Sequence, residues 1–144
     1  MIDEIDVKRA IVDRLADNGY NVVSPDSEEG FDKPALTVLV SKHERQRFNA
    51  LVERNKIEYE IDYFPLDETV ESCMDEAVTI SELLLSEPLA VADRRLCVHD
   101  LSYDVENSLL FINFEIEFYQ VIKNNDDEDD VLKELTLNGR KIVE

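Results

Sequence analysis

The chain has 144 residues and carries 34 Asp and Glu against 15 Lys and Arg, a formal net charge of −19. The length fits a single domain with its own core, and a hydrophobic fraction of 44% excludes a wholly disordered chain despite the charge. An acidic surface repels phosphates and anionic lipid, so nucleic-acid binding at large and membrane adhesion are disfavoured; no stretch approaches the ~18 apolar residues of a spanning helix.

Residues 3–18 are predicted to form a helix, with Asp3 as N-cap and Asp6 as its box partner. Ile5, Val12, Leu15 and Ala16 share one arc, with Ile11 at its edge, and Asn18-Gly19 is a stop. Tyr20 to Val23 reads as a short strand and 24–34 as a polar loop. Ala35 to Ser41, apolar and β-branched, reads as a buried strand. Residues 43–55 are open between a long hairpin loop and a short helix, because Phe48, Leu51 and Val52 have helical spacing. From 56 to 64, Ile57, Tyr59, Ile61 and Tyr63 alternate with Glu58, Glu60 and Asp62, the period of a half-buried strand that Pro65 ends.

A second helix is predicted over 68–85, capped by Thr69 or Asp67, with Val70, Cys73, Met74, Ala77, Ile80 and Leu84 as its apolar arc. Leu96 to Val105 and Leu109 to Val121 read as strands joined by the turn Glu106-Asn107-Ser108. In the second strand Ile112, Phe114, Ile116 and Phe118 face one way, and Asn113, Glu115 and Glu117 the other. The run 124–130 is a solvated acidic linker, and 132–143 an arm with some apolar character. The expected fold is α+β: two helices packed on one face of a mostly antiparallel sheet, order α-β-β-β-α-β-β, with an acidic C-terminal extension. One domain over 1–123 precedes the linker and arm at 124–144.

Chemistry finds little support. The three glycines, Gly19, Gly30 and Gly139, form no phosphate-binding cluster, and Gly-x-Ser-x-Gly is absent. An EF-hand begun at Asp126 would place Val131 and Leu137 where glycine and glutamate are required. Cys73, Cys97, His43 and His99 offer one short-spaced pair, Cys97-x-His99, where a zinc site wants two; the cysteines read as reduced core residues. An acidic N-terminus unlike a signal peptide implies an intracellular chain. Carboxylate pairs at Glu58 and Glu60 and at Glu115 and Glu117 read as an outward sheet face. The informative feature is a charge inversion. Lys42, Arg45, Arg47, Arg54 and Lys56 outnumber Glu44 and Glu53 over 42–56, whereas 57–87 holds ten acids and no base. Such polarity allows head-to-tail association of copies, which closes into rings when the rotation permits.

The N-terminal helix, the strand near Pro34-Ala35, the basic connection, Ile57-x-Tyr59-x-Ile61-x-Tyr63-Phe64-Pro65, the helix from Glu68 and Leu109-x-Phe111-x-Asn113-x-x-x-x-Phe118 together resemble a family. It is that of the small tail-terminator (tail-completion) proteins of phages and prophages of Gram-positive bacteria, over residues 2–123. The resemblance implies a non-enzymatic virion protein, assembled in the host cytoplasm and located in the tail or neck. It implies a homo-hexameric ring on the head-proximal end of the tail tube, which stops tube polymerisation and meets the head connector, with the sheath as a further neighbour. It brings no cofactor and no catalytic residue. Lys42, Arg45, Arg47, Phe48, Arg54 and Lys56 would then contact the adjacent subunit or the tube. Glu58, Glu60, Glu115 and Glu117 would form an acidic wall past which DNA slides without being held. The other readings are a neck or tube-like subunit, or a small α+β enzyme or ligand-binding domain, which would need a pocket with convergent polar groups.

Overall fold

The computed structural model describes residues 2–25 and 30–122; the 124–144 extension and its linker lie outside them. Eight elements follow in order: α1 (Glu4–Asp17), β1 (Ala35–Arg47), β2 (Val52–Phe64), α2 (Val70–Leu85), β3 (Leu89–Val91), β4 (Arg94–Leu96), β5 (Val98–Glu106) and β6 (Leu109–Val121). A four-stranded sheet, β1-β2-β6-β5, is antiparallel throughout, and β3 and β4 make a separate hairpin.

The α+β class and the packing of both helices on one sheet face are as expected. Val7, Ile11 and Leu15 of α1 and Cys73, Ala77, Ile80 and Leu84 of α2 cover Ile57, Tyr59 and Ile61 of β2 and Leu110, Ile112, Phe114 and Ile116 of β6. Tyr59 and Phe114, opposite one another in register, stack at 5.7 Å between ring centres. Each such fully buried side chain contributes about 1.5–3 kcal/mol.

Local chemistry sets the boundaries. Asp3 and Asp6 close a reciprocal capping box on α1, and Thr69 accepts from the Ser72 amide on α2. Asn107 and Ser108, both at positive φ (52° and 64°), form the two-residue turn between β5 and β6. Arg14 of α1 reaches over the end of α2 and donates to the carbonyls of Leu83, Glu87 and Pro88, at 3.3, 2.6 and 2.9 Å.

Four expectations change. Tyr20 to Val23 contributes a single parallel bridge, Val22 to Leu36, rather than a strand, and the β3–β4 hairpin stands where none was expected. Residues 43–55 are neither loop nor helix: β1 and β2 continue through them to a short turn, Phe48 to Leu51. There the amides of Phe48 and Asn49 bond the Val52 carbonyl, and the Asn49 side chain takes the amides of Leu51 and Val52. Cys73 is a core residue, but Cys97 is exposed.

One irregularity shapes this arm. A bulge at Ser41 shifts the β1–β2 register between Val40 and Lys42. Before it, Leu36, Val38 and Val40 face the helices. After it His43, Arg45 and Arg47 do, opposite Ile57, Asn55 and Glu53.

Candidate functional site

Three surfaces carry the side chains of interest. The first is the sheet face left bare by the helices. Alternation places Glu58, Glu60 and Asp62 of β2 on it, and pairing sets Glu58 opposite Glu115, Lys56 opposite Glu117 and Glu60 opposite Asn113. The expected wall of Glu58, Glu60, Glu115 and Glu117 is thus brought together on one surface. It is not purely acidic. Arg54 grips Glu117 through Nε at 2.7 Å and Nη2 at 3.1 Å, and Lys56 reaches Glu115 at 3.4 Å. The Arg54 hydrogen bonds hold the Glu117 carboxyl below its usual range, whereas desolvation and a hydrogen bond with Asp100 push that of Glu115 up against the pull of Lys56. Asp62 lies between Thr37 and Phe111 in register, and its Oδ1 is buried without a hydrogen-bond partner. Desolvation first, then the neighbouring Glu60, push its carboxyl up to about 7.

The second surface is the β1–β2 arm. The register that extends these strands also consumes most of the basic island. Arg45 forks onto Glu53 at 3.0 Å to each carboxylate oxygen, Lys42 meets Glu44 at 2.8 Å, and Arg54 and Lys56 are held as described. Glu53 is 7% exposed. Burial pushes its carboxyl up, but the Arg45 fork and the Asn55 amide outweigh it and leave it below the usual range. Around it His43 bridges Glu4 of α1 (3.0 Å) and Asn55 (2.8 Å), which pins the helix start to the arm. Of the expected contact residues, Arg47 and Phe48 alone are turned outward without a carboxylate among the described residues. Arg47 donates to the Ala50 carbonyl, and Phe48 is 65% exposed with its ring edge against Tyr119, 5.7 Å between centres.

The third surface was not legible as a site. Val70 and Met74, expected in the apolar arc of α2, lie outside the core, and with Val78 and Leu85 they form an exposed stripe. Its only sequence signal is an apolar arc wider than one buried face needs.

Enclosed chemistry is sparse. A cavity of about 480 Å³ between α2 and the segment that follows α1 is lined by Asn18, Tyr20, Tyr63, Glu76 and Thr79. Its polar pair is self-satisfied, Tyr20 Oη donating to Glu76 at 2.7 Å, and burial followed by that bond raises the phenol pKa. Among the described residues no three His, Cys, Asp or Glu are grouped to hold a metal, and no helix is long and apolar enough to cross a membrane.

A family model described as phage tail terminator protein matches residues 6–129. No curated protein matches the sequence. Among solved structures the chain is similar to one from the virion of a native gene transfer agent particle. The TM-score is 0.53 at 12% identity, over 80% of this chain and 93% of that one, a likeness of fold.

Proposed function

The chain belongs to the phage tail terminator proteins, structural and non-enzymatic components of the virion tail or neck, and from that premise we propose that it assembles as a ring, a hexamer, on the head-proximal end of the tail tube. There it stops tube polymerisation and offers its exposed side to the head connector or collar, with the sheath as a further contact in a contractile tail. The observation that carries this reading is family membership over most of the domain.

The surfaces supply a physical means. Terminating a polymer needs a copy that binds the last tube ring and lacks the surface for another. Closing a ring needs two unlike patches on each copy. A bare sheet face with Glu58, Glu60, Asp62, Glu115 and Glu117, only partly countered by Arg54 and Lys56, suits a wall past which DNA moves, since it offers phosphates little to bind. Arg47 and Phe48 at the arm tip suit contact with a neighbouring subunit or the tube.

The test is mass measurement and negative-stain imaging of the purified chain, alone and with tail tubes. Rings of six copies, or end-capped tubes that no longer grow, are the expected result. Binding to the connector with no effect on tube growth would instead identify a neck subunit, and tubes that grow unchanged with the chain in excess would overturn termination.

A further inference from the structure

We propose that the exposed stripe of α2 is the socket for the arm tip of a second copy of this chain, an assignment that rests on the ring reading above and names its subunit contact. Val70, Met74, Val78 and Leu85 stand 62%, 42%, 47% and 55% exposed on one side of α2, and Tyr103 of β5 borders them. Between Val78, Leu85 and Tyr103 lies an open cavity of about 410 Å³, room for an aromatic side chain. A contiguous apolar strip of this kind marks a contact surface rather than scattered exposure.

The charge around the strip selects its occupant. Glu82 lines the cavity, Glu71 and Asp75 follow Val70 and Met74 along α2, and no Lys or Arg occurs between residues 57 and 93. The cations brought against α2 from elsewhere are already held, Arg14 on the carbonyls of Leu83, Glu87 and Pro88 and Lys33 on Glu68. The partner must therefore be apolar at its centre and cationic at its rim. The arm tip of the same chain has that composition. Phe48 and Tyr119 form an exposed aromatic pair on the bare side, and Arg47, next to Phe48 in sequence but on the opposite side of the same tip, has no carboxylate partner among the described residues. Arg45, Arg54 and Lys56 are occupied within the chain, so Arg47 is the arm cation left for an intermolecular pair.

One molecule cannot satisfy itself. Tyr103 pairs with Ile112, which lies opposite Ile61, whereas the tip begins at Val52. Nine residues of β2 separate the two levels, about 30 Å at strand rise. The tip aromatics also lie on the bare side of the sheet and α2 on the other, so plug and socket meet only between copies. The contact is heterologous and propagates around a closed ring.

The test replaces Val78, and separately Leu85, in the full-length chain with a photo-reactive amino acid, p-benzoylphenylalanine. Equal amounts of ¹⁴N- and ¹⁵N-labelled protein are mixed, illuminated and mapped by mass spectrometry. Capture of the peptide containing Phe48 from the other isotope is expected. Arg47→Glu should raise the concentration for half-assembly about tenfold at low salt and much less at high salt. Capture of a segment of the same molecule, such as 131–143, or of another part of a second copy, overturns the socket assignment. Rings that form with no capture from either position overturn it too while leaving the ring reading intact. A chain that stays monomeric at every concentration overturns both.

Discussion

Glu53 and Asp62 are carboxylates on the same strand, and the fold treats them oppositely because they fall on opposite faces of it. Glu53 is buried against the Arg45 fork and Asn55, which hold it charged. Removing the fork leaves a desolvated anion, so Arg45→Ala should destabilise by about 2 kcal/mol. Arg47→Ala, which breaks one exposed hydrogen bond, should stay within about 0.5 kcal/mol of wild type; urea unfolding of the two variants side by side measures the contrast. Asp62 is held toward its neutral form, with its carboxyl raised from 3.8 to about 7. A carboxyl raised in the fold withdraws stability as pH climbs from its unfolded to its folded value, here from about 4 to about 7. Asp62→Asn should therefore flatten that slope and unfold at higher temperature than wild type at pH 8. The gain is about 1 kcal/mol once solvent screening of this half-buried group is allowed for. Neither environment is legible from sequence, where both residues are acids in an alternating strand; cross-strand partners such as Phe111 and Thr37 decide.

At the scale of elements, the periodic segments were legible and the aperiodic ones were not. Both helices announce themselves through their caps, Asp3 and Thr69, and β6 begins and ends where its alternation does. The apolar arcs are legible only in part: Ile5 and Ala16 of α1 and Val70 and Met74 of α2 are exposed, and Val7 is buried instead. The arm is not legible because Phe48, Leu51 and Val52 happen to fit helical spacing, while the pairing of 42–47 with 53–58 is a cross-strand register that periodicity along the chain does not report. The β3–β4 hairpin, with three residues per strand, is too short to show a period. Ser86 and Pro88 mark the end of α2 in the sequence, and Ser86 is its C-cap, but the last turn holds no basic residue and the stabilising cation, Arg14, is supplied from α1. Arg14→Met should lower stability by about 1–2 kcal/mol, with a Tm decrease of about 3–8 °C by differential scanning calorimetry. The far-UV spectrum at low temperature should be unchanged.

For the whole molecule, the net charge of −19 is distributed so that copies repel everywhere but at a few points. The inversion between 42–56 and 57–87 was legible; that register neutralises most of its positive side within the chain was not, since Arg45–Glu53 and Arg54–Glu117 link residues 8 and 63 positions apart. Assembly should consequently depend on apolar contact more than on the summed charge of the island. Phe48→Ser should abolish higher-order species in light scattering while leaving the thermal midpoint within about 2 °C of wild type, because a 65%-exposed ring contributes little to the core.

The bulge at Ser41 works as a phase inverter. Upstream of it the even-numbered residues of β1 look toward the helices, and downstream the odd-numbered ones do. Deleting that one residue would join Val40, opposite Tyr59, directly to Lys42, opposite Glu58, and keep His43 and Arg45 toward Glu4 and Glu53; pairing Ser41 into the ladder instead would turn them away and present Lys42 and Glu44 in their place. The same parity governs the tip. Lengthening both strands by one residue would carry Phe48 to the wrong side, whereas lengthening both by two restores it about 7 Å farther out. The reach of the arm is therefore quantised, and a change in ring dimensions made through it comes in double steps or not at all.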